Sequence, residues 1–425
     1  MVSEASTNTG KFPVKIFLFA FFGWAFDFYD LVLLGFLKDD VARDLHLSHA
    51  AEGWLLGVAL GASGVGGIVA GALADRIGKR TMLASTIALY SLGSLVCGLA
   101  PNVTVFVLGR MIVGLGVGGE WAIGHGMVAE AVAPKIRARA SAALQAGEPV
   151  GVAIAAMVGY FVLPHVSWRK ILVASSLTAL FAFFARRSVH LPNEPAVNKS
   201  PEKSQLKQLH DAHIWKVMFL AWVLGVLKLG TYWTCYTWLP SFLMHEMHQT
   251  IAKSARWMLS AQAGQLVGMM MFGAVADRIG RRPAFSIFSF ITACAIAPLA
   301  FAWSDLSQKP GLFWACMLML GFGSGCTAGF GALLAELFPT EVRGFAMGTT
   351  YNMARAAQLL SPVVVGAMVT AYGLSGGLSV PLVLALGTAS WVWVLPETRG
   401  IKLRSLDDPP DSNGESRRAP ALRGS

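Results

Sequence analysis

Gly71-Ala72-Leu73-Ala74-Asp75-Arg76-Ile77-Gly78-Lys79-Arg80 recurs 202 residues later as Gly273-Ala274-Val275-Ala276-Asp277-Arg278-Ile279-Gly280-Arg281-Arg282. Both copies are cationic, hold a single acid, and are flanked by long apolar stretches. A second pair follows in the same order: Glu130…Pro134…Arg137 and Glu336…Pro339…Arg343, offset by 205 or 206. A third, Pro192-Asn193-Glu194, is echoed by Pro396-Glu397-Thr398-Arg399. The chain is therefore read as two similar halves in tandem. Parallel repeats of this kind imply a pseudo-twofold axis along a membrane normal, with a site between the halves.

Composition says what the halves are made of. Of 425 residues, 55% are hydrophobic and only 14% charged, against roughly 25% charged in an ordinary soluble protein. Apolar runs of about twenty residues recur, each long enough to cross about 30 Å of hydrocarbon. Twelve spans are expected at 14–37, 51–74, 81–99, 103–129, 140–163, 170–187, 213–242, 254–276, 284–303, 311–335, 345–371 and 376–395. The fold class is an all-α polytopic membrane protein: twelve transmembrane helices in two pseudo-symmetric six-helix bundles, 14–187 and 213–395. A cytoplasmic N-terminal tail (1–13), a cytoplasmic linker (188–212) and a disordered cytoplasmic tail (396–425) complete the organisation. This leaves no room for a large catalytic domain outside the membrane.

The charge is 34 basic against 24 acidic residues. With both termini inside, twenty-four of the Lys and Arg fall on cytoplasmic segments, seven (Lys38, Arg43, Arg169, Lys170, Lys253, Arg256, Lys309) on outward loops and three within spans. That asymmetry is the positive-inside pattern, so the basic balance reports topology and no nucleic-acid partner. The five cysteines all lie in apolar stretches, where thiols act as small hydrophobes. The first thirteen residues are polar and no small-residue cleavage site follows the first apolar stretch, which reads as an uncleaved span.

The two G-x-[LV]-x-D-R-x-G-[KR]-[KR] loops resemble the signature of the major facilitator superfamily, and Arg110-Met-Ile-Val-Gly114-Leu-Gly116-Val-Gly118-Gly119 looks like its fourth-helix motif. The resemblance covers about 14–400 and implies the major facilitator fold, with transport by alternating access. It implies a cytoplasmic gate set of Asp75, Arg76, Glu130, Arg137, Asp277, Arg278, Glu336 and Arg343. The acids there can pair with nearby arginines and accept from exposed helix N–H groups. The competing reading is topogenic charge alone. Glycines 57, 61, 67 and 71 in span two, and 321, 323, 325, 329 and 331 in span ten, read as close-packing surfaces.

Ionisable residues inside spans mark the site, because each costs about 2.5–3.5 kcal/mol at a helix centre. They are Asp27 and Asp30 in span one, Arg110 and Glu120 in span four, Glu148 in span five, Lys228 in span seven and Arg355 in span eleven. Asp27 and Asp30 share a helix face and cannot both ionise cheaply in a low-dielectric cavity, so they are candidates for proton coupling, with Glu120 as a third acid. Alternatively Asp30 pairs with Arg110 and only Asp27 titrates. Arg355 suits bidentate capture of a carboxylate. With Lys228, Arg110, Tyr232, Tyr236, Tyr351, Asn352 and Gln358 it forms the expected substrate-binding set. Trp233 and Trp238 are expected to face lipid or the interface.

Three features are similar to proton symporters of organic acids: Asp27-Phe28-Tyr29-Asp30, Gly118-Gly119-Glu120-Trp121 and Asn352…Arg355. Such groups carry sialate, lactate and related monocarboxylates, or aromatic acids. Phe28 stands where the aromatic-acid group has Gly, and Ala354 where a Gly-Arg pair is common. The expectation is a monomeric secondary transporter in a plasma membrane, the short loops fitting a bacterial inner membrane. It couples uptake of a small organic anion to protons and uses no cofactor or metal. The alternative is a proton-driven exporter of a drug-like or cationic compound, with Glu148, in Gly147-Glu148-Pro149, as the cation-binding acid. No P-loop and no nucleophile–base cluster points to an enzyme.

Overall fold

The computed structural model describes residues 12–47, 49–132, 137–188, 212–246, 251–302, 306, 308–338 and 342–399. Most of the expected tails and linker lie outside the described residues. So do the side chains of Asp75, Arg76, Glu130, Arg137 and Arg343. The chain is helical throughout its apolar stretches, as hydrocarbon requires, because a helix satisfies its own backbone groups.

In the first half, span one is Val14–Asp44, span two His49–Ile77 and span three Lys79–Leu99. Span four is made of Val103–Val117 and Glu120–Ala131, and span five of Arg137–Gln145 and Gly147–Phe161. The second half continues with span seven (Ala212–Glu246), span eight (Ile251–Ile279) and span nine (Arg281–Phe301). Span ten is Pro310–Ser324, a 3-10 turn at Gly325–Gly329 and Phe330–Leu337. Span eleven opens with Arg343–Ala356 and a 3-10 turn at Ala357–Leu359. The helix Leu360–Trp391 bends at Gly373 (φ 69°), which divides span eleven from span twelve.

Eleven helical stretches among the described residues are long and apolar enough to cross a membrane. The sixth span is the exception. It is broken into Trp168–Ser175 and Thr178–Ser188. The Ser175 and Ser176 hydroxyls donate to Ile171 O (2.9 Å) and Val173 O (2.6 Å), competing with the helix for its carbonyls. Span one also runs further than expected. Lys38, assigned to an outward loop, is instead buried within it, its Nζ 2.9 Å from Asp39 Oδ1 and 5.1 Å from the Trp238 ring centroid. A long alkyl stem lets the ammonium reach polar company from inside a helix.

The repeat is visible in the backbone. Gly78 (φ 87°, ψ 142°) and Gly280 (φ 105°, ψ 162°) turn the two signature loops with nearly the same conformation, one that is essentially closed to residues with a Cβ. Between the halves, span two lies on span eleven at the end away from the signature loops. A Cβ on Gly57 would collide with Leu359 O, and one on Gly53 would sit 3.2 Å from Pro362 O. Towards the signature loops the same stripe is free: Gly71, expected to pack closely, has open space at its Cβ position. Further seams join spans one and seven, spans five and eight, and spans five and ten.

Candidate functional site

Four spans lose regular α-helical bonding at the level of the intramembrane charges. Span four does so at Gly118-Gly119, directly before Glu120, and span five at Ala146, two residues before Glu148. Span ten carries its 3-10 turn beside Ser324, and span eleven has one just after Arg355. The residues at these turns keep right-handed helical φ/ψ and tighten to i→i+3 bonds, so the helices continue through them.

The centre of the site is an ion pair between the halves. Arg355 donates from Nη2 to Asp27 Oδ1 (2.7 Å) and from Nη1 to Oδ2 (3.1 Å), and both residues are 0% exposed. This is the two-pronged geometry in which guanidinium binds any carboxylate. Three rings surround the guanidinium: Phe28 at 5.6 Å, Trp24 at 5.7 Å and Trp233 at 6.0 Å to the ring centroids. Trp233 therefore does not face lipid. It is buried and stacks on Phe28 of the other half (centroids 5.6 Å, interplanar angle 14°). Span one presses against span seven here, so this face of span seven meets protein.

Asp30 is engaged separately. It accepts from Arg110 Nη1 at 2.8 Å and from the Ser94 hydroxyl. Of the two readings of the acidic pair, the geometry matches the one in which Asp30 is tied to Arg110. Arg110, expected to bind substrate, is thus held inside the first half. Glu120 accepts from Thr86 at 3.1 Å through Oε1, while its buried Oε2 has no partner and lies over Gly23. Among the described residues no cation pairs with it.

The stripe on span eleven is buried as expected: Tyr351, Asn352, Arg355 and Gln358 all face protein. Their roles differ. Tyr351 stacks on Trp121 of span four (4.2 Å, 14°), a second aromatic contact between the halves. Asn352 lies where a Cβ on Gly67 would clash, with Oδ1 unpartnered. Gln358 is spent on the backbone, donating to Val226 O and Ala354 O at 3.1 and 2.9 Å. Lys228 has no ion-pair partner among the described residues and reaches Ser324 O at 3.4 Å. Tyr232 and Tyr236 are buried face neighbours with centroids 4.5 Å apart.

A polar chain that the sequence reading missed adjoins this centre. Trp121 Nε1 donates to Gln145 Oε1 (3.2 Å), Gln145 Nε2 to Glu148 Oε2 (2.8 Å), and Gln265 Nε2, from the other half, to Glu148 Oε1 (2.7 Å). Two glutamines beside helix-borne acid were the available signal. They drew no attention because uncharged amides are not rare enough in spans to stand out.

Of the expected gate residues, Asp277 and Glu336 come together, through a residue that was not singled out. Arg281 donates to Asp277 at 2.6 Å and to Glu336 at 2.9 and 3.2 Å, and the Thr398 hydroxyl donates to Glu336 at 2.5 Å. Arg278 is exposed. Glu397 accepts from the backbone N–H of Arg281 (2.7 Å) and Arg282 (3.0 Å), capping span nine. All of these belong to the second half, so this network fastens spans eight, nine and ten and the segment after span twelve to one another.

The comparisons agree with this architecture. A crystallised D-xylose-proton symporter superposes with a TM-score of 0.77 at 20% identity, over 92% of this chain and 99% of its own, which is a likeness of fold. A putative metabolite transport protein of Haemophilus influenzae is 30% identical over 389 residues, covering 89% of this chain and 95% of its own. The niacin transporter of Acinetobacter baylyi is 26% identical over 430 residues, covering 93% and 97%. The sequence profile of the Major Facilitator Superfamily matches residues 16–261 and 250–421, and the chain belongs to that family of membrane transporters.

Proposed function

We propose that this transporter takes up a small organic anion, a monocarboxylate, together with a proton. The observation that carries the reading is the buried, bidentate Asp27–Arg355 pair between the halves. Asp27 occupies the guanidinium in the way a substrate carboxylate would, so anion and Asp27 compete for one partner. An anion that displaces Asp27 leaves a second negative charge in a desolvated site, which is costly unless neutralised. A proton on Asp27 restores the balance: one Arg, one carboxylate anion, one neutral acid. Binding of the anion and of the proton thus favour each other, which is the coupling a symporter needs.

With both ligands aboard, the carboxyl of Asp27 no longer ties span one to span eleven, and the halves are free to rock. Glu120, one oxygen of which lacks a partner, is the second acid of the proton path, while Asp30 holds Arg110 in place. The Acinetobacter relative that carries niacin, an aromatic monocarboxylate, supports the substrate class. The rings of Trp24, Phe28 and Trp233 around Arg355 suit a planar acid. Lys228 and Arg355 both lie within electrostatic reach of Glu148, which disfavours a cationic cargo there. The positive-inside distribution of Lys and Arg supports a cytoplasmic side for the signature loops and both termini.

The test is uptake of labelled nicotinate, benzoate, lactate and sialate into proteoliposomes, with and without an inward proton gradient. Gradient-driven accumulation of at least one acid is expected. Arg355→Ala abolishes it, and in Asp27→Asn any remaining uptake ignores the gradient. Expulsion of a lipophilic cation that requires Glu148, with no acid carried, would overturn the reading.

A further inference from the structure

Glu148, Gln265 and Tyr232 are buried to within a few per cent, come from three spans of both halves, and are not used by the coupling scheme above. Glu148 accepts two amide N–H groups and no cation lies within ion-pair distance among the described residues. Gln265 Oε1 and the Tyr232 hydroxyl have no hydrogen-bond partner. A buried polar atom left unpaired is expensive, so a cluster of them in a native interior calls for a reason. Gln265 Nε2 is bonded to the Glu148 carboxylate at 2.7 Å, while the Tyr232 ring packs on Phe28 and Tyr236 and leaves its hydroxyl unpartnered, within electrostatic reach of Glu148 and of Arg355.

We propose that these three residues form a second subsite, which takes a neutral hydrogen-bond donor, a hydroxyl or an amide N–H, on the part of the substrate away from its carboxylate. The inference rests on Arg355 as the carboxylate anchor. The cluster is rich in acceptors: the Glu148 oxygens and Gln265 Oε1, with the Tyr232 hydroxyl able to give or accept. It therefore selects donors. Phe28 lies between the two subsites in contact distance, its ring 5.6 Å from the Arg355 guanidinium and 5.9 Å from the Tyr232 ring. A second carboxylate would bring only acceptors to a cluster of acceptors, so the class is hydroxylated monocarboxylates rather than dicarboxylates.

The experiment compares matched acids in proteoliposomes: 4-hydroxybenzoate against benzoate, lactate against propionate, and terephthalate as the dicarboxylate. A site built to bond a hydroxyl rejects analogues lacking it, so kcat/KM in the wild type should favour the hydroxylated member of at least one pair by about tenfold or more. Tyr232→Phe and Gln265→Leu should each bring that ratio towards one, and terephthalate should be the poorest of the aromatic acids. A wild-type ratio near one in both pairs, a preference that persists in both variants, or preferred transport of terephthalate would overturn the subsite while leaving the carboxylate reading intact. Transport of none of the five acids would overturn the carboxylate reading itself, and the subsite with it. The wild-type ratio needs no variant to fold.

Discussion

Asp27→Asn should do more than remove a proton acceptor: it should change which conformation the protein rests in. The substitution is nearly isosteric but deletes the charge that compensates Arg355, a guanidinium with no exposure to solvent and two bonds to this one carboxylate. Breaking a buried pair by removing one partner costs about 3–5 kcal/mol. The full cost falls on the closed conformation, where water cannot reach Arg355. When the halves part, the guanidinium is hydrated and most of the cost disappears. At about 1.4 kcal/mol per tenfold, the closed population should fall relative to open ones by two to three orders of magnitude. Spin-label distances read this directly. One pair of labels at the exposed positions Pro101 and Gln308, and a second at Ile77 and Ile279 near the signature loops, report on the two ends of the bundle. At least one distribution should shift and broaden in Asp27→Asn, and Asp27→Asn combined with Arg355→Gln should restore most of the wild-type distribution. Distributions unchanged at both ends would refute the idea that this pair holds the halves together.

Other consequences are local. Gly57→Ala places a methyl group against Leu359 O and should cut transport at least tenfold by wedging spans two and eleven apart, whereas Gly71→Ala, with open space, should transport like the wild type; equal activities of the two would refute the close seam. Asp30→Ala strands Arg110 inside the first half and should lower stability by about 3–5 kcal/mol, read as a lower melting temperature in detergent. Asp30→Ala with Arg110→Leu should recover part of it, and an unchanged melting temperature in the single variant would argue against a buried tether.

Much of this was legible in the chain because the bilayer imposes simple rules. Run lengths placed twelve spans, eleven of which are long apolar helical stretches among the described residues, and the cost of charge in hydrocarbon singled out Asp27, Asp30, Arg110, Glu120 and Arg355, all of which the structure buries. What sequence could not choose was partners. Helix phase puts Asp27 and Asp30 on one face, but only the packing of span four and span eleven against span one gives Asp30 to Arg110 and Asp27 to Arg355. Trp233 was read as a lipid-facing ring because aromatic residues often line interfaces, and the packing of span seven against span one overrode that. Arg278 and Arg281 are both basic and only three residues apart. The turn at Gly280 decides that the second meets Asp277 and Glu336. Gln145 and Gln265 were invisible for another reason: their importance lies in where their amides point, which depends on packing between the halves.

The central claim is that one anion and one proton enter together because both are needed to satisfy Arg355 and Asp27. It is tested most directly by recording labelled acid uptake and external pH at once in lightly buffered proteoliposomes, with the membrane potential clamped. The account predicts that uptake of the transported acid is accompanied by alkalinisation outside in fixed proportion, and that the proportion collapses in Asp27→Asn. Acid entry with no proton movement in the wild type, or unaltered coupling in Asp27→Asn, would contradict it.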